Sequence, residues 1–268
     1  MNQIYSKTRI ALAVMALAAS AGVQAGSITG AATAGGVCGT WLPSNGFASS
    51  LACSGANVTS ALSGDGSVEL GRLASSPVTT LSGTVDGHGI VLSSLVASDW
   101  TANSNALATR YVTDAFASVG ISLNAGQLAA AVGAMTNPLI YSRLSDPNVS
   151  YVSSVANGTI YVGLDGFLNA TPVLQSLVSA VNAIIPGTAN DIDPASIPNN
   201  AQASEVVKVQ VDGGSWQYLY GFSATPTGYQ APDGSFSGLY ALPVPEPESL
   251  ALFGVGLVGL FLGRRRRA

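Results

Sequence analysis

The sequence predicts an α+β body with a β-rich N-terminal part, followed by helices and antiparallel hairpins. An N-terminal signal helix and one short C-terminal transmembrane helix flank this body. Three observations predict it. Strand-length apolar runs broken by Gly, Ser and Asn occupy residues 27–98; the hydrophobic period then changes to that of helices; and Asn-Gly and Asp-Gly-Gly sequences mark two later hairpins. The three segments divide as residues 1–25, 26–243 and 244–268.

Residues 1–25 begin with Lys7 and Arg9, continue through an apolar run and close on the small residues of Val23-Gln24-Ala25. That three-part layout is a secretory signal peptide cut after Ala25. Four runs follow, 58–62, 68–73, 78–85 and 90–96, each of strand length and bounded by turn residues, and they read as antiparallel strands.

Residues 99–119 change period. Leu107, Tyr111, Ala115 and Val119 recur at helical spacing, with Arg110 and Asp114 as an i,i+4 pair on the other face. Asn124 and Gln127 form a capping box for a second helix through Leu128, Val132 and Met135, which Asn137-Pro138 stops. Residues 148–163 alternate around Asn157-Gly158, a pair suited to the positive φ angles of a two-residue type I′ turn. Thr171 caps a third helix with Pro172 at its first position and Val173, Leu177, Val181 and Ile184 as its apolar stripe. A loop over 188–203 leads to a hairpin of 205–211 and 215–222, joined by Asp212-Gly213-Gly214. The body is long enough to bury a core as one domain and shows no internal repeat.

At the C-terminal end, Pro245-Glu246-Pro247 precedes thirteen uncharged residues, 250–262, and then Arg264, Arg265, Arg266 and Arg267. At about 1.5 Å per residue this helix is near 20 Å, short of the roughly 30 Å hydrocarbon core, so it spans by snorkelling its arginines and thinning the bilayer. The arginines belong on the cytoplasmic side and the body outside, in agreement with the leader. A plain tail anchor is one reading of this segment. The Pro-Glu-Pro triplet, Gly-rich apolar helix and terminal Arg cluster, in that order, also resemble the PEP-CTERM sorting signal. That resemblance implies recognition and cleavage by an exosortase in the inner membrane of Gram-negative bacteria, a temporary membrane helix, and company with exopolysaccharide production. Residues 145–167 and 205–223 are similar to stretches recurring in an uncharacterised group of PEP-CTERM proteins, a likeness that implies no activity.

Only 9% of the 268 residues are charged and 47% are apolar, against about 25% charged in an average soluble domain. Between residues 26 and 244 the basic residues are Arg72, Arg110, Arg143 and Lys208 against twelve acidic ones. A body this acidic repels phosphate backbones, so nucleic acid is excluded as a partner.

Candidate chemistry is sparse. His88, the single histidine, sits in Asp86-Gly87-His88-Gly89 and reads as a turn. The standard serine-elbow, zincin and phosphate-loop motifs are missing. Cys38 and Cys53 enclose fourteen residues; in an exported chain this favours a disulfide worth about 3 kcal/mol over two free thiols. Asn190, Asp191, Asp193, Asn199 and Asn200 offer oxygens to calcium, yet Pro194 and Pro198 make the same loop a rigid connector. Trp216, Tyr218, Tyr220 and Phe222 alternate on one strand face, as core packing or as a carbohydrate-stacking platform. No cofactor and no metal site is expected. The leading functional expectation is a non-enzymatic envelope or extracellular-matrix protein, passed through signal peptidase and exosortase and in contact with exopolysaccharide. The alternatives are a secreted hydrolase built on Ser or on paired carboxylates, such as Asp165 with Asp191 or Asp193, and a carbohydrate-binding module.

Overall fold

A computed structural model describes residues 26–42, 49–63, 66–156, 158–185, 191–230 and 236–244, the side chains of 165–168, 225–230, 236–239 and 241–242 excepted. The expected signal helix and C-terminal transmembrane helix lie outside these residues. No helix of the described residues is long and apolar enough to cross a membrane.

The α+β class holds. In chain order the strands are β1 (Gly26–Ser27), β2 (Thr29–Gly35), β3 (Cys38–Trp41), β4 (Ser67–Leu70), β5 (Thr79–Val85), β6 (His88–Ser93), β7 (Asn148–Ser154), β8 (Ile160–Asn169), β9 (Gln202–Ala203), β10 (Val207–Val211), β11 (Gln217–Leu219), β12 (Thr225–Gln230) and β13 (Phe236–Val244). The helices are α1 (Gly55–Ala61), α2 (Ala97–Ser118), α3 (Ala125–Met135), α4 (Pro138–Tyr141) and α5 (Thr171–Ile184). One antiparallel sheet runs β12-β13-β8-β7-β4-β3, with β1 added to β7 and β9 to β8; the other runs β11-β10-β6-β5-β2.

The two sheets share one core. Val68, Leu70, Val149, Val152, Val162 and Leu164 of the larger sheet are buried in the same cluster as Leu81, Val85, Ile90, Leu92, Val207 and Val209 of the smaller. Alternation explains this, since every second residue of a strand points inward, and in β7 a register shift after Val149 brings Val152 to the same side. A second cluster joins Trp100, Tyr111, Val112 and Phe116 of α2 to Met135 of α3 and Leu174, Leu177 and Val178 of α5. Trp100 is fully buried, and its indole N–H donates to Ser145 Oγ at 2.9 Å, which satisfies the one polar atom such a ring carries.

Several local expectations are corrected. Residues 58–61 form part of α1, with Leu62 as its C-cap, and not a strand, because Ser54 accepts from the Asn57 N–H and places Val58 and Ala61 on one buried face. Helix α2 carries three consecutive left-handed residues, Asn103, Ser104 and Asn105, with φ of 50°, 57° and 63°; short polar side chains tolerate this region best. The capping box of α3 is formed on both sides, Gln127 N–H to Asn124 at 2.9 Å and Asn124 N–H to Gln127 at 2.8 Å.

The β7–β8 hairpin closes on Val155, whose C=O accepts from Gly158 and whose N–H donates to Thr159 C=O. Its loop is therefore three residues long and not the expected two-residue turn, with Gly158 at φ +84° supplying the left-handed position. Thr171 is not the cap of α5, because Ala170 occupies that position. The Thr171 hydroxyl instead donates to Pro198 C=O at 2.7 Å and accepts from Ala201 N–H. The buried stripe of α5 is Leu174, Leu177, Val178 and Val181, while Ile184 is 61% exposed.

Candidate functional site

The expected sorting residues, Pro245, Glu246, Pro247, Arg264, Arg265, Arg266 and Arg267, lie outside the described residues. Their point of attachment does not. Val244 is buried, ends β13 and pairs with Ile160, and Pro243 pairs with Tyr161. The segment thus leaves the body directly from a paired strand.

The structure joins Cys38 and Cys53 in a disulfide with Cα atoms 6.0 Å apart. It ties β3 to the turn before α1, beside the bridge that Thr40 makes with Leu51.

The aromatic strand docks on α2. Tyr111 lies 4.9 Å from Tyr220 and 5.2 Å from Phe222, measured between ring centres. The expected Arg110–Asp114 ion pair is replaced by a shared hydroxyl: Tyr220 donates to Asp114 at 2.6 Å and accepts from Arg110 Nε at 3.0 Å. The Arg110 guanidinium also stacks over the Tyr220 ring and donates to Tyr218 C=O at 2.8 Å. Next along the strand, Tyr218 and Lys208 both donate to Asp99 Oδ1, at 2.9 and 2.8 Å. Asp99 is 8% exposed and spends its other oxygen on the Val96 N–H, capping α2. Burial first, and then the partner carboxylate, push the Tyr218 and Tyr220 hydroxyls well above the usual tyrosine range. Trp216 is 39% exposed, with Lys208 Nζ 5.1 Å above its ring.

His88 is not the turn residue. Asp86 and Gly87 form the turn, both at positive φ, and His88 opens β6. Its Nδ1 is 2.7 Å from Asp212 Oδ2, and the other Asp212 oxygen accepts from Gly89 N–H at 2.8 Å. This bond raises the imidazole above its ordinary value and lowers the Asp212 carboxyl. Both side chains are half exposed, so the pair clips two hairpin tips together at small energetic cost or gain.

Of the expected acidic loop, Asn190 lies outside the described residues. Asp193 Oδ1 accepts from Ala195 N–H at 2.9 Å and so opens a 3-10 turn. Ile192 is bonded through both its N–H and its C=O to Asn182 of α5. The side chain of Asp165 is not among those described. Among the described residues no group of three His, Cys, Asp or Glu side chains is arranged to hold a metal ion.

One grouping escaped the sequence reading. Glu69, Asp146 and Glu205 are each raised, with burial the first cause in each case; Asp146 adds to the rise of Glu69, and Asp146 and Glu69 both add to that of Glu205. Glu205, pushed furthest, accepts from the backbone and side-chain N–H groups of Asn148 at 3.1 and 3.3 Å. Asp146 accepts from Leu73 N–H at 2.9 Å and Glu69 from the Trp41 indole at 3.0 Å. These carboxyls fasten neighbouring chain segments through the donors they accept from. The available signal was Glu69 at a polar position inside Val68-Glu69-Leu70. A cavity of about 20 Å³ in the helical core is lined by apolar atoms of Tyr111, Met135, Leu174, Leu177 and Phe222. It has room for about one water and no polar group to hold it.

The comparisons agree with the C-terminal segment. The PEP-CTERM protein-sorting motif matches residues 243–267. This motif implies export, exosortase processing and membrane-anchored sorting before that processing. No curated protein and no solved structure matches the chain.

Proposed function

We propose that this chain is an envelope or extracellular-matrix protein with a non-enzymatic body, cut by signal peptidase after Ala25, held briefly in the inner membrane and released by exosortase to the surface. The observation that carries the reading is the sorting motif over residues 243–267, which begins on the last two residues of β13. The body's polar side chains support it, because the bonded carboxylates among them are spent on structure. Asp99 caps a helix, Asp212 clips two turns, and Glu205 fastens Asn148. Expression in otherwise matched hosts with and without an exosortase tests the reading. The body leaves the membrane fraction only when the enzyme is present, and replacing Pro245, Glu246 and Pro247 by Ala retains it. Release independent of both overturns the proposal.

A second reading, a carbohydrate-binding module, is supported by the exposure of Trp216, the one aromatic of its strand that stays at the surface. Affinity electrophoresis against exopolysaccharide tests it through Trp216→Ala, which abolishes retardation if the ring stacks on sugar. Unchanged retardation excludes Trp216 as the platform.

A further inference from the structure

Strand register brings both ends of the body to one place. Gly26 pairs with Ser154 on β7, Ser154 with Ile160 on β8, and Ile160 with Val244 on β13. These four residues form one row across the sheet, and at about 4.8 Å per strand its ends are about 15 Å apart. The turn of the β5–β6 hairpin lies beside this row, since the Cβ direction of Gly26 points at the Asp86 backbone N, 3.8 Å away. The β10–β11 turn is next to that one, held by the Asp212 N–H donating to Gly89 C=O at 2.8 Å. One end of the molecule therefore consists of three β-turns and the two points where the flanking segments leave.

Five residues, 245–249, separate Val244 from the start of the apolar segment at Leu250. Fully extended they reach at most about 18 Å. A body anchored through 250–262 thus has Val244 held close above the bilayer. The opposite end lies far away: Ala170 N–H donates to Ala201 C=O at the end of β8, ten residues from the row, or about 30 Å at 3.3 Å per residue. Among the described side chains, those on the three turns that carry charge are Asp86 and Asp212, with His88 paired to Asp212. Presenting this end costs less desolvation and less repulsion from anionic lipid than laying down an acidic flank.

We propose that this end, made of residues 155, 156, 158 and 159, the Asp86-Gly87 turn and the Asp212-Gly213 turn, faces the bilayer surface in the unprocessed chain, and that both processing points are presented there side by side. The inference rests on the anchor reading given above. It has a consequence for sorting: any cut beyond Val244 severs the tether without opening a paired strand.

The test uses the full unprocessed chain in vesicles of phosphatidylethanolamine and phosphatidylglycerol. Both native cysteines are in the disulfide, so a single added cysteine carries a nitroxide. Ala156→Cys and Ser215→Cys label the near end and Asn200→Cys the far end, all three at exposed positions. Relaxation by a nickel-chelating lipid is expected to be several times stronger at 156 and 215 than at 200. Equal relaxation at all three sites, or the reverse order, in chains that float with the vesicles overturns the orientation and leaves the anchor standing. Chains that fail to float overturn both.

Discussion

Among the carboxyls, Glu205 is displaced furthest from its ordinary titration. Burial, followed by the charges of Asp146 and Glu69, raises its folded pKa well above 4.5. The folded state therefore binds this proton more tightly than the unfolded chain does. Its contribution to stability is full below the unfolded pKa and is lost as pH rises through the folded one. Urea midpoints measured across this range fall with rising pH in the wild type, and Glu205→Gln flattens the slope. A slope unchanged by that substitution contradicts the assignment. Glu205→Leu removes the acceptor of both Asn148 donors and costs about 1–3 kcal/mol for a buried group left unpaired. His88 behaves differently, being exposed and bonded only to an exposed carboxylate. His88→Asn leaves the melting temperature nearly unchanged, since Asn retains a donor for Asp212 and the pair it replaces is half exposed. A large loss there would show that the two hairpin tips depend on this clip.

Among the elements, α5 gives the sharpest test of packing against sequence. Leu174→Ala empties a buried position and costs about 2–5 kcal/mol, while Ile184→Ala at the exposed end costs well under 1. Comparable losses at both would restore the stripe that periodicity alone suggests. The disulfide closes fifteen residues of separation. Cys38→Ser with Cys53→Ser costs about 3 kcal/mol in the loop-entropy account, and alkylation without reductant labels neither cysteine of the native chain. Much of this was legible before any coordinates. Alternation exposed β4 to β8, β10 and β11, and the Asn124–Gln127 box marked the start of α3. Local signals failed where a neighbour decided the outcome. The β-branched Val58 reads as a strand until the Ser54 cap is seen, and Thr171 looks like a cap until its hydroxyl is needed by Pro198 and Ala201. The aromatic alternation over 216–222 was plain, but the strand there shrinks to Gln217–Leu219, and which rings α2 would cover was not legible, because that depends on Tyr111 more than a hundred residues away. The three carboxyls come from segments with no common sequence pattern, so only the fold unites them.

For the whole molecule, the central claim is that sorting acts on a finished body. β13 pairs with β8 from Phe236↔Phe167 to Val244↔Ile160, so a chain ending at Val244 keeps every strand and melts as a folded unit. A chain ending before Phe236 strips a long edge from β8, and its cooperative transition is lost or sharply lowered. The most direct measurement is terminal mass spectrometry of protein recovered outside the cell from a host that carries an exosortase. The expected product begins near Gly26, retains β13 through Val244 and lacks Arg264, Arg265, Arg266 and Arg267. An extracellular product that still carries the four arginines, or one cut within β13, contradicts the account.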